Sequence, residues 1–407
     1  MQKGFLSQYF EKVAIKRLTA VEVNTAISNQ HELNGSKSLK TLFGNERVSY
    51  QSKFLWLAGE SEGISCEGHL TWYDAREAHP TRSEYRLYFK SNEIMDQARE
   101  SDMLIIAKRQ NGEFYIIIVP YGSTLENQLL WLFGIEQVGY SFNLQAIENG
   151  HNPEVNFAVR YILEELDIEI EETDSGYLDE ILEPFFSTGF PNTSVFSQLA
   201  RQTMREVSSR DEPDETLLKW IEHEEKLFKR LEHHIVSQRL QAGFCTDGDT
   251  DVEGFIKFSL SVQNRRKSRI GYALEHHLEE IFKVHELRYS RTAVTENKSK
   301  PDFLFPDIKS YKDMTYPESR LTMLGVKSTC KDRWRQVLSE ANRINKKHLF
   351  TLEPGISENQ TDEMQAKHLQ LVLPKRLHET YKSTQQSWLM DLKTFIQLAN
   401  KRQKLMF

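Results

Sequence analysis

Cysteine, long apolar runs and a surplus of positive charge are all scarce in this chain, and each scarcity excludes something. Three cysteines, Cys66, Cys245 and Cys330, stand far apart among 407 residues. Their number is odd and none sits at C-x-x-C spacing, which argues against both a disulfide framework and a cysteine metal site. The longest clean apolar run, Phe114 to Val119, is six residues, against about 20 for a membrane-spanning helix. The opening Met1-Gln2-Lys3-Gly4-Phe5 meets charge at Glu11 and Lys12 without an apolar stretch, so no secretory signal is expected. Repeats and low-complexity tracts are missing as well. The expectation is a soluble chain of a reducing compartment.

What is present suffices for a folded core. Hydrophobic residues make up 39% and aromatics 11% of the chain, which excludes wholesale disorder, and the length suggests two domains at roughly 150 residues each. Lys and Arg number 52 against 59 Asp and Glu, for a net charge of −7. That excludes a uniformly basic surface but not local basic patches, which decide nucleic-acid binding.

The first 165 residues read mainly as β-structure. Two apolar strands, Met103 to Ala107 and Phe114 to Val119, flank an Asn111-Gly112 turn, a strong hairpin signal. Ser49 to Leu57 and Glu84 to Lys90 are further strands, and Ser123-Thr124-Leu125-Glu126 is a capping box for a helix through Phe133. Residues 166–189 are acidic and then turn-rich, and read as a linker or hinge. Beyond it the spacing predicts a long helix from Asp214 to Gln241, stopped by Gly243, and a second from Ser268 to Val284. Short strands follow at Phe303–Phe305, Leu321–Thr329, His348–Leu352 and Leu369–Leu373, with a helix from Asp332 to Ile344 among them. Helices around short strands make residues 190–407 an α/β domain.

The candidate chemistry lies in that domain. Pro301-Asp302-Phe303 opens one strand, and Gly325-Val326-Lys327 lies within the next long one, with Lys327 25 residues after Asp302. A carboxylate at a strand start and a lysine on the neighbouring strand suit metal-assisted phosphodiester hydrolysis: the acid holds Mg²⁺, and the ammonium offsets phosphate charge and orients water. A nuclease of the PD-(D/E)XK type carries a second carboxylate two residues before the lysine. Here that position is Gly325, and the substitute is Glu340 on the following helix, beside the stripe Trp334, Val337, Leu338, Ala341 and Ile344. Glu275 borders the stripe Ile270, Leu274, Leu278 and Ile281 and is a further candidate. Taken singly, a Pro-Asp turn, a strand lysine and a helix glutamate are ordinary turn chemistry and solvated surface. The pairs His233-His234 and His276-His277 have no cysteine at ligand spacing and read as ordinary helix residues.

The segments Asn264 to Arg269, Leu274-Glu275, Lys300 to Pro306, Val326 to Gln336 and His348 to Leu352 resemble the catalytic domain of EcoRII-type restriction endonucleases, with few gaps from about Phe190 to Leu373. The resemblance implies a restriction-endonuclease-like (PD-(D/E)XK) α/β domain at residues 190–407, with Glu275, Asp302, Lys327 and Glu340 as the catalytic set. Asp302 and Glu340 would hold Mg²⁺. It assigns Lys331-Asp332-Arg333 to reading the outer C·G pairs of a CCWGG-like site, where cations donate to guanine and an acid accepts from cytosine. Asn264 to Arg269 also carries four cations in six residues, Arg265, Arg266, Lys267 and Arg269, a density expected to contact the DNA backbone and position it. An arginine and an aromatic that approach the central base pair in the family correspond to Ile221 and Glu225, on an ungapped alignment through Glu212 to Glu215, with Trp220 as a neighbouring substitute.

Ile15 to Leu18, Tyr73 to Arg76 and Thr81 to Arg86 resemble the family's effector domain, a B3-like β-pseudobarrel that binds a second copy of the target. That assigns residues 1–165 to a DNA-binding module using Arg76, Arg82, Glu84 and Arg86, with Tyr85 standing where the family has a cation. The strand from Glu84 puts Arg82, Glu84 and Arg86 on one polar face by simple alternation. The resemblance further implies a homodimer, since a palindromic-type site calls for two symmetry-related active sites. It also implies an autoinhibiting N-terminal domain, a cognate DNA cytosine methyltransferase, and a prokaryotic, cytoplasmic setting. The rival readings are a nuclease of altered or modification-dependent specificity and a non-catalytic B3-type DNA-binding protein.

Overall fold

A computed structural model describes residues 10–24, 31–57, 64–109, 111–135, 137–146, 175–204, 207–246, 249–330 and 333–404. The chain divides into two compact units: Met1–Glu169 with Pro354–Gln360 and Thr380–Lys382, and Ile170–Glu353 with Thr361–Glu379 and Ser383–Phe407.

The first unit is built on eight strands: β1 (Phe10–Arg17), β2 (Glu32–Asn34), β3 (Val48–Trp56), β4 (Ile64–Asp74), β5 (Tyr85–Phe89), β6 (Met103–Arg109), β7 (Phe114–Val119) and β8 (Asn143–Ala146). They form one sheet in the order β2-β5-β4-β3-β7-β6-β1-β8. The Asn-Gly turn yields the expected hairpin, with Met103 opposite Val119 and Lys108 opposite Phe114. The only parallel pair in this sheet among the described strands is β3 with β7. Among the described residues four short helices accompany it, α1 (Ala20–Val23), α2 (Lys37–Phe43), α3 (Glu93–Gln97) and α4 (Thr124–Phe133). Ser123 caps α4 through its hydroxyl, which accepts the Glu126 N–H at 3.1 Å. Trp72, Phe54, Phe114 and Leu87 lie in the core with Phe43 of α2, whose ring stacks on Phe114 at 4.6 Å.

The second unit opens with helices α5 (Ser175–Phe186), α6 (Thr193–Thr203), α7 (Pro213–Ala242) and α8 (Val252–Val284). Helix α5 occupies part of the segment expected to be a linker, because Leu178 and Leu182, one turn apart, bury against Phe196 of α6 and Leu227, Phe228 and Leu231 of α7. Residues 166–174 lie outside the described ones. Helix α8 is about four turns longer than the sequence suggests: Asp251 caps it by accepting the Gly254 N–H at 2.8 Å, so it starts sixteen residues before Ser268.

Two residue pairs, Cys245–Thr246 (β9) and Asp249–Thr250 (β10), make a ribbon between α7 and α8. The main sheet contains β11 (Ser290–Arg291), β12 (Phe303–Phe305), β13 (Thr322–Lys327), β14 (Lys347–Thr351) and β15 (Leu369–Val372), in that order. Its first three strands are antiparallel and its last three parallel. The C-terminal half of α8 covers this sheet through Leu274, Leu278, Ile281 and Phe282, all fully buried. The Phe282 ring meets Phe303 and Phe305 edge-on at 5.1 and 5.3 Å. Helix α9 (Ile308–Lys312) follows β12, and α10 (Trp334–Val337) follows β13. Helix α10 is far shorter than the expected 332–344, since the chain leaves it through turns and Ala341 adopts a left-handed φ of 46°.

Candidate active site

Antiparallel pairing brings the two key residues to one end of the sheet. Phe303 at the start of β12 lies opposite Leu324 of β13, so Asp302, just ahead of Phe303, sits near the end of β13, where Lys327 is the last residue. One Asp302 oxygen, Oδ2, accepts the Val326 N–H at 2.6 Å and the Lys327 ammonium at 3.3 Å. Asp302 and Lys327 are both largely buried, at 14% and 20% side-chain exposure, which strengthens their attraction over that of a surface pair.

Gly325 explains why no second carboxylate stands on β13. A Cβ at this position would meet Val337 of α10 at 2.8 Å. The absent side chain lets α10 close against the strand, and the turn after α10 then carries Glu340 towards Asp302. Glu340 is therefore in a turn, its N–H donating to the Val337 carbonyl at 3.2 Å, and not inside the expected helix. Its carboxyl is pushed up to about 7, first by burial and second by Asp302, with Lys327 and Lys347 opposing. Among the described atoms its Oε2 is buried without a hydrogen-bond partner. Two carboxylates sharing a half-buried end of a sheet, one of them with an unpaired oxygen, have the donor set and charge deficit of a divalent-cation site. Among the described residues no group of three His, Cys, Asp or Glu side chains is arranged as a ready metal cage. Mg²⁺ asks for less, commonly one or two carboxylates with water filling the remaining positions.

Glu275 reaches the same neighbourhood, but with a counter-ion the sequence did not reveal. Arg291, on the two-residue β11 beside β12, donates to Glu275 and to Glu279 at 2.7 Å each. Burial pushes the Glu275 carboxyl up while Arg291 pulls it down and Asp302 adds repulsion. A two-residue strand has no periodicity to read, so Arg291 carries no sequence signal. Glu353 is a second such residue: it is buried and accepts the Cys330 N–H, holding the chain immediately before the triplet 331–333.

Of that triplet, Lys331 and Asp332 lie outside the described residues. Arg333 is exposed and donates to the Thr329 hydroxyl. Among the four cations of α8, Arg269 corrects the expectation of a phosphate contact. It is buried, paired with Glu225 and set over the Phe228 ring at 4.1 Å. It turns inward because α7 presents a buried carboxylate that needs a counter-charge. Arg266 pairs with Glu232 at 2.6 Å while keeping half its side chain in solvent, and Arg265 lies over Phe190. Lys267 has a described backbone only. Ile221, Glu225 and Trp220 are all buried on α7, so none of them, including the suggested substitute Trp220, is presented at a surface that could meet a base. The histidine pairs are packing elements: His277 lies 2.8 Å from Glu224 with both fully buried, and His234 stacks on Phe186.

In the first unit Arg76, Glu84 and Arg86 share one ion-pair network. Glu84 is held between Arg76 at 2.6 Å and Arg86 at 2.7 Å, and Arg86 reaches Glu32 as well at 2.7 Å. The Tyr73 hydroxyl also donates to Glu32. Arg82 is exposed, and Tyr85 stacks on Trp72 at 5.1 Å, which makes it a packing residue on the inner side of the strand.

Residues 228–396 match the family described as EcoRII C terminal. Over 208 residues the chain is 43% identical to the type II restriction enzyme EcoRII of Escherichia coli, a stretch that is 51% of this chain and 50% of that enzyme. The chain thus spans about half the length of the curated relative it matches. Among solved structures, metal-depleted Ecl18kI in complex with uncleaved, modified DNA superposes with a TM-score of 0.46 at 16% identity, covering 57% of this chain and 87% of that one. The restriction endonuclease PspGI–substrate DNA complex gives 0.43 at 16% identity, covering 53% and 96%. The stretch that matches this family, residues 228–396, contains Asp302, Lys327, Glu340 and Glu275.

Proposed function

We propose that this chain is a type II restriction endonuclease that hydrolyses double-stranded DNA at a CCWGG-like sequence with Mg²⁺. The observation that carries the reading is the convergence of Asp302, Lys327 and Glu340 at one sheet end, with Glu340 left a carboxylate oxygen to spare. Asp302 and Glu340 would hold the cation, which would supply charge neutralisation at the scissile phosphate and an acidified water. Lys327 offsets phosphate charge and orients the attacking water from its place beside Asp302. Arg291 holds Glu275 at the margin of the site, where it would support the cluster. Lys331, Asp332 and Arg333 would read the outer C·G pairs from the major groove, and Arg265, Arg266 and Lys267 would position the backbone. Arg76, Arg82, Glu84 and Arg86 form the corresponding surface of a B3-like effector module. That module would engage a second site and restrain the uncleaving enzyme. The enzyme would act as a homodimer in a bacterial cytoplasm beside a cognate cytosine methyltransferase.

The burial of Ile221, Trp220 and Glu225 favours a second reading of the specificity. With neither Ile221, Glu225 nor Trp220 presented from α7, the central base pair is handled differently from the family pattern, and the preferred target differs at that position or in its methylation. One experiment addresses both. Methylation-free plasmid with several CCWGG sites is incubated with the protein and Mg²⁺ or EDTA, with Lys327→Ala alongside, and the ends are sequenced. Discrete Mg²⁺-dependent fragments lost in the variant are expected, and their ends read out the target. Cleavage confined to methylated plasmid would replace the first specificity with the second, and no cleavage of either would overturn the enzyme.

A further inference from the structure

The outer half of α8 carries a largely exposed apolar face. Val252, Phe255, Ile256 and Leu260 are 56%, 48%, 44% and 57% exposed, at the i, i+3, i+4 and i+8 positions of one helix face. Scattered exposed apolar residues are ordinary, whereas a contiguous stripe marks a contact surface. This stripe is the continuation of a buried one. Eighteen residues are five helical turns, and that step leads from Phe255 to Ala273, from Ile256 to Leu274 and from Leu260 to Leu278, all buried against the domain. The face that packs on the sheet thus continues along the outer half of α8, which meets α7 at Arg266–Glu232 and meets Phe244, just beyond α7, at Phe255, ring centroids 5.3 Å apart.

We infer that this stripe is a dimerisation surface, pairing antiparallel with the same stripe of a second copy of the chain. The flank of the stripe selects that occupant. Glu253 and Lys257 are both exposed and lie one turn apart along the same edge of the helix. About a two-fold axis at Phe255, Glu253 of one copy faces Lys257 of the other, and the reverse, so one acid and one base make two ion pairs. Such an edge complements itself only in the antiparallel arrangement, which is the isologous contact that a closed dimer requires. The apolar stripe supplies the helix-to-helix anchors at i, i+3, i+4 and i+8. The inference gives the proposed homodimer its surface. Its test uses neither DNA nor metal, so its failure and that of the nuclease reading are separable.

Sedimentation velocity of the full chain in EDTA across micromolar concentrations measures the effect. The wild type is expected to dimerise, and Ile256→Glu with Leu260→Glu to weaken the dimer at least about 100-fold, as circular dichroism shows the helices intact. Glu253→Lys and Lys257→Glu, each alone, should weaken it about three- to tenfold, and the two together should restore it. A wild type that stays monomeric, or a doubly charged stripe that dimerises unchanged, overturns the surface. A double charge reversal no tighter than the singles overturns the antiparallel second copy and leaves the stripe to a different protein or to the DNA.

Discussion

At the scale of single residues, the pair Asp302 and Glu340 is an arrangement of like charge that is costly by itself. Glu340 is buried beside Asp302, and the two nearest ammonium groups, on Lys327 and Lys347, only partly offset the repulsion. Glu340→Gln removes that repulsion. The variant is expected to be more stable than wild type in EDTA by about 1–2 kcal/mol and to lose cleavage by at least about 10³-fold. Thermal unfolding with and without Mg²⁺ checks the assignment: wild type gains stability from the cation and the variant does not. An equal gain in both would show that Glu340 does not hold the metal. Gly325 is the complementary residue, kept small so that Val337 can reach the strand. Gly325→Ala places a methyl where 2.8 Å separates it from Val337 Cγ2. The expected outcome is a loss of about 1–3 kcal/mol, read in the unfolding midpoint. Cleavage should fall further than stability does, because the same shift displaces Glu340.

At the scale of elements, long and periodic segments were legible and short ones were not. The β6–β7 hairpin announces itself through Asn111-Gly112, and α7 through its apolar spacing with Gly243 behind it. The start of α8 was hidden because its outer half has apolar residues facing solvent, and Ser268 looks like a cap. The end of α10 was hidden because Ala341 is an unexpected residue for a left-handed φ. Among the site residues, Asp302, Lys327 and Glu340 were readable from their strand context and family resemblance. Arg291 on a two-residue strand was not, and neither was the inward turn of Arg269, which depends on what α7 places opposite it. Strand β14 makes a prediction of its own. His348 is fully buried in it, and burial, with Arg402 and Lys346 adding to it, pushes its imidazole down to about 3. The unfolded chain takes up this proton near pH 6.5 and the folded one does not. Stability is therefore present above about pH 6.5 and lost as the pH falls through that value towards 3, at up to about 1.4 kcal/mol per pH unit. His348→Leu should flatten this acid limb between pH 6.5 and 5 in tryptophan-monitored unfolding. An unchanged slope would show that the imidazole is not the titrating group.

At the scale of the molecule, the question is where the second compact unit begins. Acidity and turn residues suggest that everything before residue 190 is dispensable to it. The packing of α5 argues otherwise. Leu178 and Leu182 are buried in the same cluster as Phe196, Leu227 and Leu231, and Asp179 makes two 2.6 Å hydrogen bonds with Arg230 of α7. Removing α5 exposes the faces of α6 and α7 that these residues cover. Each fully buried leucine is worth about 1.5–3 kcal/mol, so the two together represent about 3–6 kcal/mol out of a total of about 5–15. A fragment of residues 170–407 should consequently unfold at a distinctly higher temperature than one of residues 190–407, which should also bind hydrophobic dye. Both fragments lack residues 1–169 alike, so the comparison isolates α5 from any effect of the N-terminal unit. Equal unfolding temperatures would return α5 to the status of a linker. A large difference would mean that any test of autoinhibition by truncation must keep α5, because a cut at 190 would lower activity through instability and conceal the release it was designed to detect.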